Sequence, residues 1–431
     1  MNDPVNDEPT FRDSAQYVGR ERWKRSMATA HAGTQARRYR DEVKEKSGFN
    51  KAIAYLQIRV FRWVGSYLKN RFGRRYPFQD YTAAGADNGV YDLAASSNGS
   101  DPAEPVVVSL LGDWGSGTKE AYVAAERVKQ DAPHFTIHLG DIYYVGSPEE
   151  VQENMLGDKV QWPGGSRGTF ALNANHEMYA QGEGYFKYLL PELGLGDNHE
   201  QKASFFCLKN DHWLVIGLDT GYYSIGVPIL EMVLRPDCRL HDELMAWLRD
   251  EVRLGEDTQR GVIFLSHHQY YSGFESGYPR PAEQLAQLIG RPALWIWGHE
   301  HRFAMYGKHA DKKAGLEAYG RCLGHGGLPI EDIRDEPKRG NKYQVGLVLY
   351  DRRERTRIGL LETPVGYNGY ANLAFEGNRL TIEYKDTERS LVRERWEIGA
   401  GGELKGVSIE KLIDDDDLVV VEGVGLEEAI M

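Results

Sequence analysis

The chain has 431 residues, 41% hydrophobic and 27% charged, a balance that excludes wholesale disorder and leaves material for a large core. Its formal net charge of −12 argues against gripping a nucleic-acid backbone over the whole surface, which needs a basic footprint; a small anionic substrate in one local pocket stays open. Cys207, Cys238 and Cys322 are widely spaced with no Cys-x-x-Cys pair, so neither a disulfide framework nor a thiolate zinc site is expected, and a reducing, cytoplasmic compartment fits.

The opening residues, Met1 to Ser14, are polar and acidic where a secretory signal starts basic and turns apolar. No stretch approaches the roughly 18 uninterrupted apolar residues of a spanning helix. Residues 1–48 are charged, poor in large apolar side chains, and read as a partly disordered lead-in. Between Phe49 and Tyr76, Ile53, Leu56, Val60, Trp63, Val64, Tyr67 and Leu68 recur at helical spacing among Lys51, Arg59, Arg62, Lys69, Arg71, Arg74 and Arg75. The spacing predicts a basic amphipathic helix within 49–83, docked either on the main domain or, through residues 49–76, on an anionic membrane or a protein partner. Residues 84–104, rich in Ala, Gly, Asn and Ser, read as a linker.

From residue 105 to about 400 the pattern is that of one large domain. Strands are predicted at Val106 to Leu111, Phe135 to Leu139, Thr169 to Leu172, Trp213 to Leu218, Val262 to Leu265 and Leu294 to Trp297, and amphipathic helices near Lys119 to Lys129 and Leu240 to Val252. Each strand runs into a polar cluster: Gly112-Asp113, Gly140-Asp141 with Tyr143 and Tyr144, Asn175-His176-Glu177, Asp219-Thr220, Ser266-His267-His268 and Gly298-His299-Glu300-His301. An α/β scaffold places its site loops just past the C-terminal ends of buried strands. Beyond Gly340 the sequence alternates as strands with hairpin signals, notably at Glu376-Gly377-Asn378. Residues 401–431 read as an acidic tail, with Asp414 to Asp417 solvated or capping.

Taken together, Asp113, Asp141, Tyr144, Asn175, His267, His299 and His301 supply oxygen and imidazole donors, a set suited to iron, zinc or manganese and unsuited to soft-metal or iron-sulfur sites. Seven donors are too many for one catalytic tetrahedral ion, and two ions account for them better. Such a pair, sharing one carboxylate, can activate water and clamp the attacking and leaving oxygens of an in-line displacement at phosphorus.

This ordered series, from Val106 to Leu323 and more loosely to Trp396, resembles the calcineurin-like metallophosphoesterase superfamily and, within it, the purple acid phosphatases. Most members carry Asp-x-His in the first motif; here Gly115 takes the place of that His, and the purple branch replaces it with a tyrosinate, matched by Tyr144. The resemblance implies an α/β, four-layer core of two packed mixed β-sheets flanked by helices, preceded by the N-terminal helical extension. It implies a first metal held by Asp113, Asp141, Tyr144 and His301, a second by Asp141, Asn175, His267 and His299, and iron paired with iron, zinc or manganese. Asp141 bridges, and His176 contacts substrate phosphate and protonates the leaving oxygen. His268 either points to substrate or supports a ligand from behind, and His325, in Gly324-His325-Gly326-Gly327, is a candidate for the pocket rim. Tyr143 is the alternative to Tyr144. Two positions depart from the family pattern: Ala174 stands where Gly is usual and Gln269 where Pro is common.

The expected activity is metal-dependent hydrolysis of a small phosphomonoester by attack of activated water. The rivals are a phosphodiesterase acting on cyclic nucleotides or phospholipid-derived diesters, and a weakly catalytic membrane- or partner-binding module.

Overall fold

The computed structural model describes residues 73–82, 85, 87–94, 104–196, 200–225, 236–330, 333, 335–338, 345–358 and 363–431. The lead-in, the amphipathic segment up to residue 72 and most of the linker lie outside the described residues. The helix predicted as far as Tyr76 does not include Gly73 to Tyr76, which run without regular structure. This stretch lies along the domain surface: the Tyr76 N–H donates to the Gln181 carbonyl at 2.8 Å and the Tyr81 hydroxyl to the Phe205 carbonyl at 2.6 Å.

Two mixed sheets make the body of the domain. The eight-stranded sheet runs in the order Leu404–Lys411, Ser390–Ile398, Arg379–Asp386, Gly369–Glu376, Val106–Leu111, Phe135–His138, Gly168–Ala171, Gly194–Leu195. The nine-stranded sheet runs Val90–Asp92, Phe206–Lys209, Trp213–Gly217, Gly261–Ser266, Ala293–Trp297, Ala318–Leu323, Phe303–His309, Leu347–Asp351, Leu418–Val420.

Each sheet has a parallel centre, and its strands are the unbroken apolar runs of the sequence. The reason is burial on both faces. Trp213, Val215, Ile263, Leu265, Leu294 and Ile296 enter the core between the sheets. Their alternates Leu214, Ile216, Val262, Phe264 and Trp295 pack with Leu244, Trp247 and Leu248 of the helix Asp242–Asp250 on the other side. The helix Lys119–Asp131 begins at Thr118, whose side chain accepts from the Ala121 N–H, and buries Ala121, Ala124, Ala125 and Val128. The antiparallel strands of the larger numbering alternate instead: Leu380, Ile382 and Tyr384 are buried while Thr381, Glu383 and Lys385 are half-buried. Gly377, at φ 58°, forms with Asn378 the two-residue turn between the paired Glu376 and Arg379.

Residues 401–431, expected as an acidic tail, contribute strands to both sheets, while Asp414, Asp416 and Asp417 are exposed. Leu404–Lys411 adds an edge strand to the eight-stranded sheet, and Leu418–Val420 pairs with Leu347–Asp351 in the other. Ala429 is fully buried and its carbonyl accepts from Arg321 Nη2 at 2.8 Å. The acidic run Asp414 to Asp417 occupies the connection between these two edges, which is why it reads as polar. Among the described residues no helix is long and apolar enough to cross a membrane.

Candidate metal centre

The C-terminal ends of the two parallel strand groups meet, and the polar clusters predicted past those ends converge there. The Leu111 carbonyl takes the Leu139 N–H at 2.8 Å, and the Leu323 carbonyl takes the Gly112 N–H at 3.2 Å, so the first strand of one sheet is tied to a strand of the other. Four of the candidate donors stand on backbone that non-glycine residues rarely adopt: Asp113 at φ 57°, Asp141 at 76°, His299 at 71° and His301 at 43°. Such strain persists where the surroundings over-determine it, and it concentrates at functional sites.

Asp141 lies between two groups of donors. Its Oδ2 accepts from the Tyr143 hydroxyl at 3.1 Å, and that hydroxyl is also 2.9 Å from Asp113 Oδ1 and 2.9 Å from His301 Nε2. Its Oδ1 faces His267 Nε2 at 3.3 Å and accepts from the His176 N–H at 3.3 Å. Across from it, His267 Nε2 and His299 Nδ1 are 3.1 Å apart, and the His299 N–H donates to Asp113 Oδ2 at 2.7 Å. One carboxylate therefore presents an oxygen to each group, as a bridging ligand must.

The tyrosine hydroxyl in this cluster belongs to Tyr143, where the family resemblance pointed to Tyr144. The loop backbone explains the choice. Glu150 Oε1 and Oε2 take the N–H groups of Tyr144 and Val145 at 2.7 and 2.9 Å, Asn154 Nδ2 donates to the Tyr143 carbonyl at 2.8 Å, and the Tyr144 carbonyl lies 2.6 Å from His176 Nδ1. The main chain of Tyr144 is thus fixed to the helix Pro148–Asn154 and to His176, while the side chain of Tyr143 enters the cluster. Gly115 completes the exchange: a Cβ there would come within 2.9 Å of Ile142 Cα and 3.0 Å of the Asp141 carbonyl, leaving no room for the His that other family members carry.

The donors fit metal ions. His267 Nδ1 is 3.0 Å from the Leu139 carbonyl, so this nitrogen holds the proton of the neutral ring and Nε2 presents a lone pair to a carboxylate oxygen. Two acceptors face each other at 3.3 Å, an arrangement that a cation between them turns from repulsive to favourable. Asn175 Oδ1 is buried with no hydrogen-bond partner, although the same side chain holds the Tyr179 hydroxyl through Nδ2 at 3.3 Å. Asp113, Asp141 and His267 each offer a ligand atom within 4.8 Å of the others, and so do His267, His268 and His299.

The electrostatics point the same way. Burial, then the Asp113 and Glu177 carboxylates, push Asp141 well above the usual carboxylate range. For Asp113 burial acts upward, yet His301, followed by His267 and His299, holds it well below that range. Burial drives His267 and His299 far below an ordinary histidine and His176 down to about 4. Burial, then Asp113 and Asp141, raise the Tyr143 phenol well above its usual value. Burial thus favours the neutral form of His176, His267 and His299.

Several supporting residues were not legible as such in the sequence. Glu177, fully buried and raised to about 8 chiefly by burial, lies beneath the cluster with Oε2 3.4 Å from the Asp141 N–H. Asp219 accepts from Asn173 Nδ2 at 3.1 Å and from the Gly221 and Tyr222 N–H groups at 2.8 Å, joining the loop that carries Asn175 to the next strand end. Thr220 Oγ1 takes the His268 N–H at 3.1 Å and lies 3.0 Å from its Nδ1. Only the position of Asp219 and Thr220 past a strand end signalled them.

Of the departures from the family pattern, Ala174 is extended at φ −137°, so its Cβ costs nothing. Gly140 is the position that must stay bare: at φ 102°, a Cβ would meet the Ala174 Cβ at 2.7 Å and His267 Nδ1 at 2.9 Å. Gln269 braces its loop in place of a proline, Nε2 donating to the Ser276 carbonyl at 3.1 Å. His325 is not at the rim. It is 2% exposed, stacks on Phe303 at 5.6 Å, and lines a small cavity with Arg302, Asp351, Arg353 and Tyr367. Its carbonyl accepts from the Gly369 N–H and Asn368 Nδ2, which holds this turn against the strand Gly369–Glu376; burial, then Arg353, lowers the ring to about 3.

Residues 107–303 match the family model for the calcineurin-like phosphoesterases. The chain carries a calcineurin-like phosphoesterase domain. Enzymes of this family are metal-dependent phosphoester hydrolases with a dinuclear metal site, and the His and Asp donors described above are the candidate for it here. No curated protein matches the chain. Among solved structures it is similar to PhoD, at 12% identity and TM-score 0.45, covering 74% of this chain and 73% of that one. Similar too are GAP50, the anchor in the inner membrane complex of Plasmodium, at 13% identity and TM-score 0.41 over 76% and 93%, and Vps29 from Entamoeba histolytica, at 8% and 0.22 over 71% and 99%.

Proposed function

We propose that this protein is a phosphomonoesterase of the purple-acid-phosphatase type. The observation that carries the reading is the Tyr143 hydroxyl 2.9 Å from both Asp113 Oδ1 and His301 Nε2, at a centre where Gly115 leaves no room for the usual histidine. Asp113, Tyr143 and His301 hold a first ion, Asn175, His267 and His299 a second, and Asp141 both. The bound pair supplies activated water and a clamp on the phosphoryl oxygens.

The protein's own contribution is to place these donors and exclude alternatives. His176, with Nδ1 at the Tyr144 carbonyl and its ring edge-on to Tyr143 and Tyr179 at 4.4 and 5.1 Å, is held with Nε2 3.7 Å from Asp141 Oδ2. There it would contact the phosphate, whose negative charge would raise the ring, neutral in the free site, so that Nε2 carries the proton given to the leaving oxygen.

A phenol raised in pKa by its surroundings is ionised only by a strongly acidic ion, ferric iron being one. Iron-loaded, oxidised protein should therefore show a phenolate-to-iron band in the visible region, lost in Tyr143→Phe and kept in Tyr144→Phe. A colourless ferric protein, or a band that survives Tyr143→Phe, sinks the purple-type assignment. Turnover of para-nitrophenyl phosphate against its bis ester, with and without chelator, separates monoesterase from diesterase and both from a binding module.

A further inference from the structure

The function above makes no use of the segment that precedes the domain. We propose that residues 75–81 are a brace for the metal centre, joining the two loops that position Asn175 and the pair His267 and His268, so that this segment sets metal affinity and turnover from outside the site. The inference rests on reading the cluster as a dinuclear centre.

The later half of the segment is anchored on the core. Tyr81 is 8% exposed, donates its hydroxyl to the Phe205 carbonyl at 2.6 Å, and packs against the rings of Phe205 and Trp247 at 5.3 and 6.0 Å. Phe78 stacks on His241 at 3.9 Å, His241 stacks on Tyr223 at 5.5 Å, and the Arg239 guanidinium lies over the Tyr223 ring at 3.9 Å. Ring stacking and a cation over a ring each add to plain burial, so this column ties the segment to the loop that follows the strand Trp213–Gly217.

The earlier half reaches two loops at once. Arg75 donates from Nη1 to the Tyr222 carbonyl at 3.3 Å and from Nη2 to the Ile225 carbonyl at 3.4 Å, with its guanidinium 5.4 Å from the Tyr222 ring centroid. Tyr222 returns its hydroxyl to the Tyr76 carbonyl at 3.0 Å. On the other side the Tyr76 N–H donates to the Gln181 carbonyl at 2.8 Å, and the Tyr76 ring stacks on Phe186 at 5.7 Å. Two consecutive residues therefore link 222–225 to 181–186.

Each of these loops leads directly to donors. Asp219 takes the Tyr222 N–H at 2.8 Å and Asn173 Nδ2 at 3.1 Å, and Gly221 lies so close to the next turn that a Cβ there would come within 2.5 Å of the Ala174 nitrogen. Asn175 follows. Thr220 Oγ1 takes the His268 N–H at 3.1 Å, beside His267. In the other loop Gln181 stands two residues after Tyr179, whose hydroxyl accepts from Asn175 Nδ2 at 3.3 Å. Gly184 presses on the loop of Tyr143, where a Cβ would fall 2.1 Å from the Gly146 carbonyl oxygen. Close-packed backbone transmits a displacement and does not absorb it, so a shift at Tyr222 or Gln181 is passed on to the chain that carries the ligands. Contacts behind the ligands orient them in this way.

The test compares the full chain with Arg75→Ala and Tyr222→Phe, singly and together; neither side chain belongs to the donor cluster. Protein stripped with a chelator is titrated with zinc against a chromophoric indicator, and para-nitrophenyl phosphate turnover and the denaturation midpoint are measured on the same preparations. The wild type should hold two ions. The combined variant should lose about 10-fold in kcat and in one of the two binding steps, the low end of what a lost supporting partner costs, with the other step unchanged and the midpoint little moved. A combined loss smaller than the product of the single losses marks the two side chains as one coupled unit. Arg75→Lys, which keeps a donor for one of the two carbonyls, should recover part of the loss. Wild-type kcat and wild-type affinity at both steps in the combined variant overturn the brace. So does a lowered midpoint with neither changed, which would make the segment a structural tie only. A wild type that holds fewer than two ions removes the dinuclear reading and this inference with it.

Discussion

Arg321 and Glu394 lie as deep as Asp113 and Asp141, yet the two buried polar clusters are built in opposite ways. The Arg321–Glu394 pair joins a strand of one sheet to a strand of the other with every valence used. Nε and Nη2 meet the carboxylate at 3.1 and 2.6 Å, Tyr384 donates to it at 2.6 Å, and the remaining guanidinium hydrogens go to the carbonyls of Tyr306, Gly320 and Ala429. At the strand ends, by contrast, carboxylates meet carboxylates, one lone pair faces another, and the Asn175 carboxamide oxygen is left without a partner. A polar cluster that satisfies itself is a structural tie; one that leaves acceptors facing each other is shaped around charge brought from outside.

The largest effect should come from Asp141→Ala. It removes the one carboxylate shared by both donor groups, so metal content and hydrolysis should fall together by well over the roughly 10–100-fold seen for lost supporting partners. Elemental analysis and para-nitrophenyl phosphate turnover on one preparation decide it, and two retained ions with near-normal turnover would erase the contrast drawn above. Next is Glu394→Gln, which strands a buried guanidinium and should destabilise the fold by roughly 3–5 kcal/mol in chemical denaturation. Metal content per folded chain should not change; a matching loss of metal would mean the tie and the site are one unit.

A third experiment concerns acid. Burial holds His138, fully buried with neither ring nitrogen partnered, at about 3 against 6.5 for an ordinary histidine. Between these values the unfolded chain binds a proton that the native chain does not. Its effect on stability is therefore absent above the unfolded value and grows as pH falls toward the folded one, by up to about 1.4 kcal/mol per pH unit. His138→Leu should flatten that slope when denaturation midpoints at pH 7 and pH 5 are compared, and an unchanged slope would place the acid sensitivity elsewhere. The smallest effect should be that of Tyr179→Phe, which frees the Asn175 amide to turn its nitrogen toward the donors and should weaken metal binding by about 10-fold with the fold intact. Equal affinity in the two proteins would show that Asn175 is oriented without Tyr179.

What the sequence made legible follows burial. Strands buried on both faces, such as Gly261–Ser266, appear as apolar runs, and the polar residues past their ends mark the site because α/β topology gathers those ends. Spacing within a loop is less informative. Tyr143 and Tyr144 are adjacent and chemically alike, and hydrogen bonds accepted by Glu150 and donated by Asn154 decide which side chain enters the cluster. His325 was misplaced for a similar reason, since its carbonyl contacts with Gly369 and Asn368 come from strands distant in sequence. Leu404–Lys411 escaped notice because an edge strand with half-buried and exposed residues carries little hydrophobic signal.

The pairing of Val106–Leu111 with Gly369–Glu376 sets an order of events during synthesis. The Ser109 hydroxyl meets the Asn372 carboxamide across 263 residues, so the central strand of the eight-stranded sheet waits for one of its two neighbours until most of the chain has been made. Every candidate donor, from Asp113 to His301, has been synthesised by then. Non-local strand pairing of this kind is slow, and chains emerge from their N-terminal side first. A nascent chain thus carries the full set of acids and imidazoles before the sheet that holds them in register is closed, and a cation captured at that stage would meet donors not yet sorted into two groups. Loading of a metal pair at this cluster would then be a late event, timed by the arrival of the strand Gly369–Glu376.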